Sequence, residues 1–212
     1  MTSVAAVVLA AGRSSRFLAA GGEEETKLLA RFDGEPLVRR VVSAALASRA
    51  RPVVVVVGHA RQAVEAALVN LPAKIVFNPD YLDGLSTSLR AGLLALPPGA
   101  DAAAILLGDM PMVASRLIDA LIEAFEARPG ARAAAPMEGG RRRNPVLIAR
   151  ALFPGAMAVS GDEGARTLLA ALNPTEMIEI EAGGWTTALD VDTPDDLANL
   201  RRLKQERSPN LA

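Results

Sequence analysis

Three stretches of the chain hold residue types suited to phosphate chemistry. The first is Leu9-Ala10-Ala11-Gly12-Arg13-Ser14-Ser15-Arg16-Phe17, continuing to Lys27. A turn of small residues exposes backbone N–H groups that can cradle phosphate oxygens. Arginine and lysine beside it add fixed positive charge. The run lacks the Gly-Lys-Ser/Thr of a P-loop and the later glycines of a dinucleotide fingerprint. Taken by itself it reads equally well as a solvated basic loop. The second stretch is Leu106-Leu107-Gly108-Asp109-Met110-Pro111, an aspartate closing an apolar run, where a metal–phosphate complex would lie. The third is Asp190-Val191-Asp192-Thr193-Pro194, in which alternation along a short strand puts both carboxylates on one face. Turn and helix-cap chemistry selects the same aspartates, and for Asp192 that alternative stays open.

Composition removes other chemistries. The chain of 212 residues has no cysteine, which excludes disulfides, thiolate nucleophiles and cysteine metal sites. His59 is the only histidine, so a multi-histidine metal site is excluded; it follows an apolar run and reads as a loop or capping residue. The net charge of -1 leaves no basic nucleic-acid footprint or polybasic membrane anchor, and 3% aromatics leave little for base stacking. The first apolar run is too short to span a membrane and passes into a glycine turn, so a soluble, cytoplasmic protein is expected.

The phosphate-suited residues need a scaffold, and the apolar pattern supplies one. Residues 4–9, 53–57 and 103–107 are continuous apolar runs, the mark of strands buried on both faces. Between them Leu37, Val38, Val41, Val42, Ala45 and Leu46 form one helical stripe. Leu117, Ile118, Leu121, Ile122 and Phe125 form another. Thr193 and Pro194 read as the N-cap and first turn of a last helix, and a further strand is expected over 144–148. Alternating strands and helices predict an α/β, mostly parallel Rossmann-like sheet with helices on both faces. Ligands of such sheets bind beyond the carboxyl ends of the strands, where the phosphate-suited residues fall. No linker divides the chain, so a single domain over 1–212 is expected.

Four motifs then occur in one order: LAAGRSSRF followed by TKLL, NPDYLDGLSTSLRAGL, LLGDMP and DVDTPDDL. In this the chain resembles the molybdopterin-type nucleotidyltransferases, a branch of the glycosyltransferase-A-like superfamily, from Val4 to about Leu203. LAAG, RRRNPVLI at 141–148 and SGDEGAR at 160–166 look most like the molybdenum cofactor cytidylyltransferases. The resemblance implies a nucleotide-binding part over about 1–115 and an acceptor-binding part over about 116–205. It implies Mg²⁺-dependent transfer of a cytidylyl group from CTP to the phosphate of molybdopterin cofactor, releasing pyrophosphate, with a molybdenum hydroxylase as client. Arg16, Lys27 and Asp109 would be catalytic, and Asp109 with Asp190 or Asp192 would hold the metal. Leu9, Ala10, Ala11, Gly12, Arg13, Gly84 and Ser88 would bind the nucleotide. Asn144, Ser160, Asp162 and Arg166 would bind the acceptor, with Arg141, Arg142 and Arg143 as a basic loop that attracts an anion or merely faces solvent.

Two features depart from the family pattern. Phe17 stands where methionine is usual, and LAAGGEEET delays Lys27; residues 18–26 are expected to be a mobile, solvent-facing excursion. Arg143 stands where a small residue is common. Two other functions remain open: a nucleotidyltransferase for a sugar or polyol phosphate, and a non-catalytic accessory protein that carries the cofactor to a molybdenum hydroxylase.

Overall fold

A computed structural model describes residues 2–161, 166–182 and 189–207. The chain opens with β1 (Val4–Ala10), α1 (Ser15–Ala19), a 3-10 turn (Lys27–Leu29), and the hairpin of β2 (Arg31–Phe32) and β3 (Glu35–Pro36). There follow α2 (Leu37–Ala47), β4 (Val53–Val57), α3 (Arg61–Ala67), β5 (Lys74–Phe77), a 3-10 turn (Tyr81–Asp83) and α4 (Leu85–Leu94). Next come β6 (Ala102–Leu107), α5 (Ser115–Ala127), β7 (Ala133–Glu138), β8 (Arg141–Arg142) and β9 (Val146–Ala149). The last elements are α6 (Phe153–Ala158), α7 (Arg166–Ala170), β10 (Met177–Glu181) and α8 (Pro194–Arg207).

The main sheet has the order β10-β7-β9-β6-β1-β4-β5, with β8 paired to β7. β5, β4, β1 and β6 run parallel, as do β7 and β10. β9 runs against both β6 and β7. The mostly parallel sheet is therefore as expected. The strand anticipated over 144–148 begins two residues later, at Val146, because Asn144-Pro145 precedes it in a bend.

Both faces of the sheet are buried, and the residues of β1 divide between them by alternation. Val4, Ala6, Val8 and Ala10 pack with α2, α3 and α5 on one face. Ala5, Val7 and Leu9 pack with α4 and α6 on the other. α4 comes so close that a β-carbon at Gly92 would lie 2.3 Å from Val7 Cγ1, so glycine in the Arg-Ala-Gly-Leu run is set by helix–sheet contact. A third apolar cluster joins Phe17, Ala30, Phe32 and Leu37 to Val191, Leu197 and Leu200 of the C-terminal segment. Phe17 is thus a core residue, and it ties the first loop to α8.

The sheet places the informative residues at one edge. β1, β4 and β6 end at Ala10, Val57 and Leu107. Because β9 is antiparallel and pairs Val146 with Ile105, its start lies at that same edge, and Arg141, Arg142, Arg143 and Asn144 come with it. Among the described residues no helix is long and apolar enough to cross a membrane.

Candidate active site

Beyond the ends of β1 and β6 lies a cavity of about 550 Å³. Leu9, Ala10, Ala11, Gly12, Arg13, Arg16, Lys27, Gly84, Ser88, Asp109, Asp190 and Asp192 all line it. A β-carbon at Gly12 would meet nothing within 4 Å, so the glycine leaves the strand-end turn open to a ligand. Gly58 shows the opposite constraint: its β-carbon would fall 2.8 Å from Ala11 Cβ and 2.6 Å from Tyr81 Cβ. Ala11 and Tyr81 therefore pack against the same glycine.

The charges converge at the centre. Lys27 Nζ lies 2.6 Å from Asp109 Oδ2 and 2.8 Å from Asp192 Oδ1. The Lys27 and Asp109 side chains are only 15% and 14% exposed, so neither charge is well solvated. Burial works against the Lys27 ammonium, but the Asp109 and Asp192 carboxylates outweigh it and raise its pKa above the usual value. Arg16 reaches Asp192 Oδ2 at 2.5 Å with a side chain 77% exposed, a pair that water competes for. Asp109 Oδ1 is buried and has no hydrogen-bond partner among the described residues. Partial burial pushes the Asp190 carboxyl up, and the nearby Asp109 and Asp192 charges add to this.

The backbone holds these groups in place. Gly108 N–H donates to Leu9 O (2.9 Å), which continues the β1–β6 pairing up to Asp109. Val191 N–H donates to Asp109 O (3.1 Å), which carries the C-terminal segment to the site. Asp190 to Thr193 form no strand, contrary to the expectation. Alternation nevertheless acts: Val191 is buried in the third cluster while Asp190 and Asp192 line the cavity. Thr193 caps α8 as expected, and it does so reciprocally with Asp196. Thr193 N–H donates to Asp196 Oδ2 (2.7 Å) and Asp196 N–H to Thr193 Oγ1 (3.2 Å). The cap belongs to Thr193, which leaves Asp192 to Arg16 and Lys27.

Ser88 is buried and receives a hydrogen bond from Asn78 Nδ2 at 3.0 Å. Asn78 Nδ2 also donates to Thr87 Oγ1 (2.8 Å), and Thr87 Oγ1 donates to Gly84 O (2.9 Å). This network fixes the loop from Asn78 to the start of α4. His59 is a loop residue, with its N–H on Ala11 O (3.1 Å) and its ring 6.2 Å from that of Tyr81.

The acceptor-side candidates are less concentrated. Arg141, Arg142, Arg143, Asn144 and Ser160 stand outside the cavity lining. Arg142 is engaged, with Nε on Glu179 Oε1 (2.7 Å) and Nη1 on Leu169 O (3.2 Å). The three arginines are thus not one free basic loop. Arg143 Nε stands 3.9 Å from Glu138 Oε2, and both atoms are buried without a hydrogen-bond partner among the described residues. Ser160 is exposed, and the adjacent Gly161 O accepts Ser86 N–H (3.0 Å), bringing this segment to the start of α4. Arg166 opens α7. Asp162 lies outside the described residues.

Among the described residues no three acidic or histidine side chains are arranged to hold a metal ion. Asp109, which the resemblance pairs with Asp190 or Asp192 as metal ligands, and Asp192 both contact Lys27. Two carboxylates still fit a magnesium ion, which keeps waters and takes its remaining ligands from substrate phosphates. The orphaned Asp109 Oδ1 is the atom that such an ion would satisfy.

The solvent-facing expectation for residues 18–26 fits Leu18 to Gly21 but not Thr26. Gly22 N–H donates to Phe17 O (3.0 Å), and Thr26 is fully buried; only Glu23 and Glu25 are exposed among the three glutamates. None of the three lines the cavity, and Lys27 reaches the site in spite of the excursion. The lining residues that the sequence reading missed include Ser14, Ser15, Phe17, Tyr81 and Leu82. Ser14, Ser15 and Phe17 lie inside the first motif, and Tyr81 and Leu82 inside the second, so motif membership was the available signal.

Residues 6–176 match the MobA-like NTP transferase domain. Nicotine blue oxidoreductase of Paenarthrobacter nicotinovorans is 32% identical over 93% of this chain and 96% of its own length. The bifunctional protein GlmU of Syntrophotalea carbinolica is 32% identical over 58% of this chain, which spans about a quarter (25%) of that relative. The structure of Rv0371c from Mycobacterium tuberculosis superposes with a TM-score of 0.81 at 26% identity, covering 95% of this chain and 98% of that one. Rv0371c has also been solved as a complex with manganese. With three cations and three carboxylates gathered at the carboxyl ends of its central strands, the chain belongs to the MobA-like NTP transferase family.

Proposed function

We propose that the protein transfers a cytidylyl group from CTP to the phosphate of molybdopterin cofactor. The observation that carries the reading is the convergence of Arg16, Lys27, Asp109 and Asp192 in one cavity below the Ala10–Gly12 turn. A phosphate oxygen of the acceptor attacks the α-phosphorus of CTP. The new P–O bond forms as the bond to the bridging oxygen breaks, and that oxygen leaves with its electron pair on pyrophosphate. No covalent enzyme intermediate is required, so catalysis rests on positioning and charge.

Arg16 and Lys27 exchange their carboxylate partners for the α-phosphate and the leaving group. Ala10, Ala11 and Gly12 turn their backbone toward base and ribose, with Gly84 and Ser88 on the facing side. Asp109, through its unpartnered Oδ1, and Asp190 or Asp192 would hold Mg²⁺. When bound, the ion neutralises charge on the triphosphate. Residues of about 116–205 supply the acceptor side, where Arg141 and Arg143 offer positive charge, Asn144 and Ser160 offer polar groups, and Asp162 and Arg166 follow in sequence. A molybdenum hydroxylase is the client this product implies.

The experiment is pyrophosphate release from CTP with isolated molybdopterin cofactor against a panel of sugar and polyol phosphates. Release with the cofactor alone supports the reading, and release only with a sugar phosphate replaces it. A second reading, hydride transfer, is favoured by the name of the full-length relative nicotine blue oxidoreductase. The absent glycine fingerprint weighs against it, and oxidation of NADH or NADPH by the purified protein tests it.

A further inference from the structure

Ser14 and Thr26 flank the acidic excursion and turn their hydroxyls on each other. Ser14 sits in the left-handed region at φ 56°, ψ 31°, a conformation that a β-carbon makes costly. Its carbonyl accepts the Leu18 N–H (3.0 Å) that opens α1, the helix carrying Arg16 and Phe17. Its hydroxyl lies 2.8 Å from Thr26 Oγ1 and accepts the Lys27 N–H at 3.1 Å. Thr26 Oγ1 in turn accepts the Leu28 N–H at 3.4 Å, and Thr26 is fully buried. Two hydroxyls twelve residues apart thus satisfy two backbone donors and each other, in a place where Thr26 has no water to replace them.

We infer that Ser14 and Thr26 form a clamp that closes the neck of the excursion and sets the position of Lys27 between Asp109 and Asp192. An excursion left open at its base gives Lys27 the freedom of the whole loop. Closed at the base, it becomes an appendage whose length and charge do not reach the site. Because Ser14 also starts α1, the clamp links the placement of Arg16 to that of Lys27. Ser14 and Thr26 are positioning residues: neither needs to touch the reacting atoms. The inference rests on the reading of Arg16 and Lys27 as triphosphate ligands.

Thr26→Val removes the hydroxyl at nearly constant shape, and Thr26→Ser keeps it. Two measurements are made on the full chain: hydrogen exchange at the Lys27 and Leu28 amides, and kcat and KM for CTP. In Thr26→Val, exchange at these two amides should speed at least about tenfold while the β1, β4 and β6 amides are unchanged. kcat should fall by about tenfold to a hundredfold, the scale of a misplacement near 1 Å, and Thr26→Ser should restore both readouts. Wild-type exchange in Thr26→Val overturns the clamp. So does an equal defect in Thr26→Ser, which makes methyl packing the cause. If Thr26→Val does not fold, Ser14→Ala removes the other hydroxyl and is judged by the same two readouts. A wild-type protein that releases no pyrophosphate removes the functional reading, and amide exchange still decides the clamp.

Discussion

The two ends of the proposed site are built in contrasting ways. On the nucleotide side, Lys27 has two carboxylates within 2.8 Å and Arg16 reaches one of them at 2.5 Å. Backbone hydrogen bonds from Gly108 and Val191 lock the segments that carry them. On the acceptor side, Arg142 is committed to Glu179, Arg143 and Glu138 stand 3.9 Å apart, and Ser160 faces solvent. In the proposed reaction the triphosphate would meet a preformed charged cradle. The acceptor would meet groups that stand apart. Changes on the first side should act on turnover itself, and changes on the second should act on the choice and affinity of the acceptor.

The largest effect is expected at Asp109. Asp109→Asn keeps size and hydrogen bonding and leaves Lys27 its second partner, Asp192, so the protein should fold. Loss of one preorganised charge in such a site costs about 10²–10³ in turnover, or about 3–4 kcal/mol. Metal-dependent pyrophosphate release measures this, and near-normal release removes Asp109 from the centre of the nucleotide side.

Lys27→Met tests whether lysine and metal compete for the same carboxylates. It leaves Asp109 and Asp192 facing each other with little water. Breaking a buried pair on one side costs about 3–5 kcal/mol, less here because Arg16 still reaches Asp192. Magnesium should then raise the melting temperature of Lys27→Met more than that of the wild type. The pH dependence has a definite sign. Lys27 has a folded pKa above its ordinary 10.5, so its contribution is complete below that value and is lost as pH rises through the higher folded one. Lys27→Met should therefore lack the wild type's loss of stability at strongly alkaline pH, which titration of thermal melts shows.

A smaller change is expected in base choice. Ala11 is buried, and its methyl packs by Gly58 and Tyr81 rather than standing free in the cavity. One methyl in a pocket is worth about 1–3 kcal/mol of discrimination. Ala11→Gly should bring GTP turnover closer to CTP turnover, at the low end of that range. On the acceptor side, Arg142→Ala breaks a pair exposed on both partners and should cost about 0.2–1 kcal/mol in stability. It should leave KM for CTP unchanged. A raised KM for CTP in this variant would erase the division between the two ends.

Much of the nucleotide side was legible in the sequence because parallel strands write themselves as unbroken apolar runs. Val53–Val57 coincides with β4, and the residues following β1 and β6 had to fall at the ligand-binding edge. Lys27 was placed by motif alone. Its route past the three glutamates depends on a hydroxyl pair that has no periodic signature. The Arg142–Glu179 pair joins residues 37 apart across two strands, and no local pattern reveals such a partner. The stretch from Asp190 reads as a strand by alternation, yet its backbone is held by a bond from Val191 to Asp109 and by bonds from Asp192 and Thr193 to the Asp196 side chain, not by a ladder. Local rules located the edge, while contacts between distant segments decided which charges there are free.

The most direct measurement offers the purified protein equal CTP and GTP, Mg²⁺ and isolated molybdopterin cofactor, and follows the dinucleotide products by mass spectrometry together with pyrophosphate. Cytidylyl transfer from CTP, promoted by Arg16, Lys27, Asp109 and their neighbours, should give the cytosine dinucleotide as the main product with one pyrophosphate for each. Guanine dinucleotide in equal or greater amount, or cofactor bound with no pyrophosphate released, would contradict it.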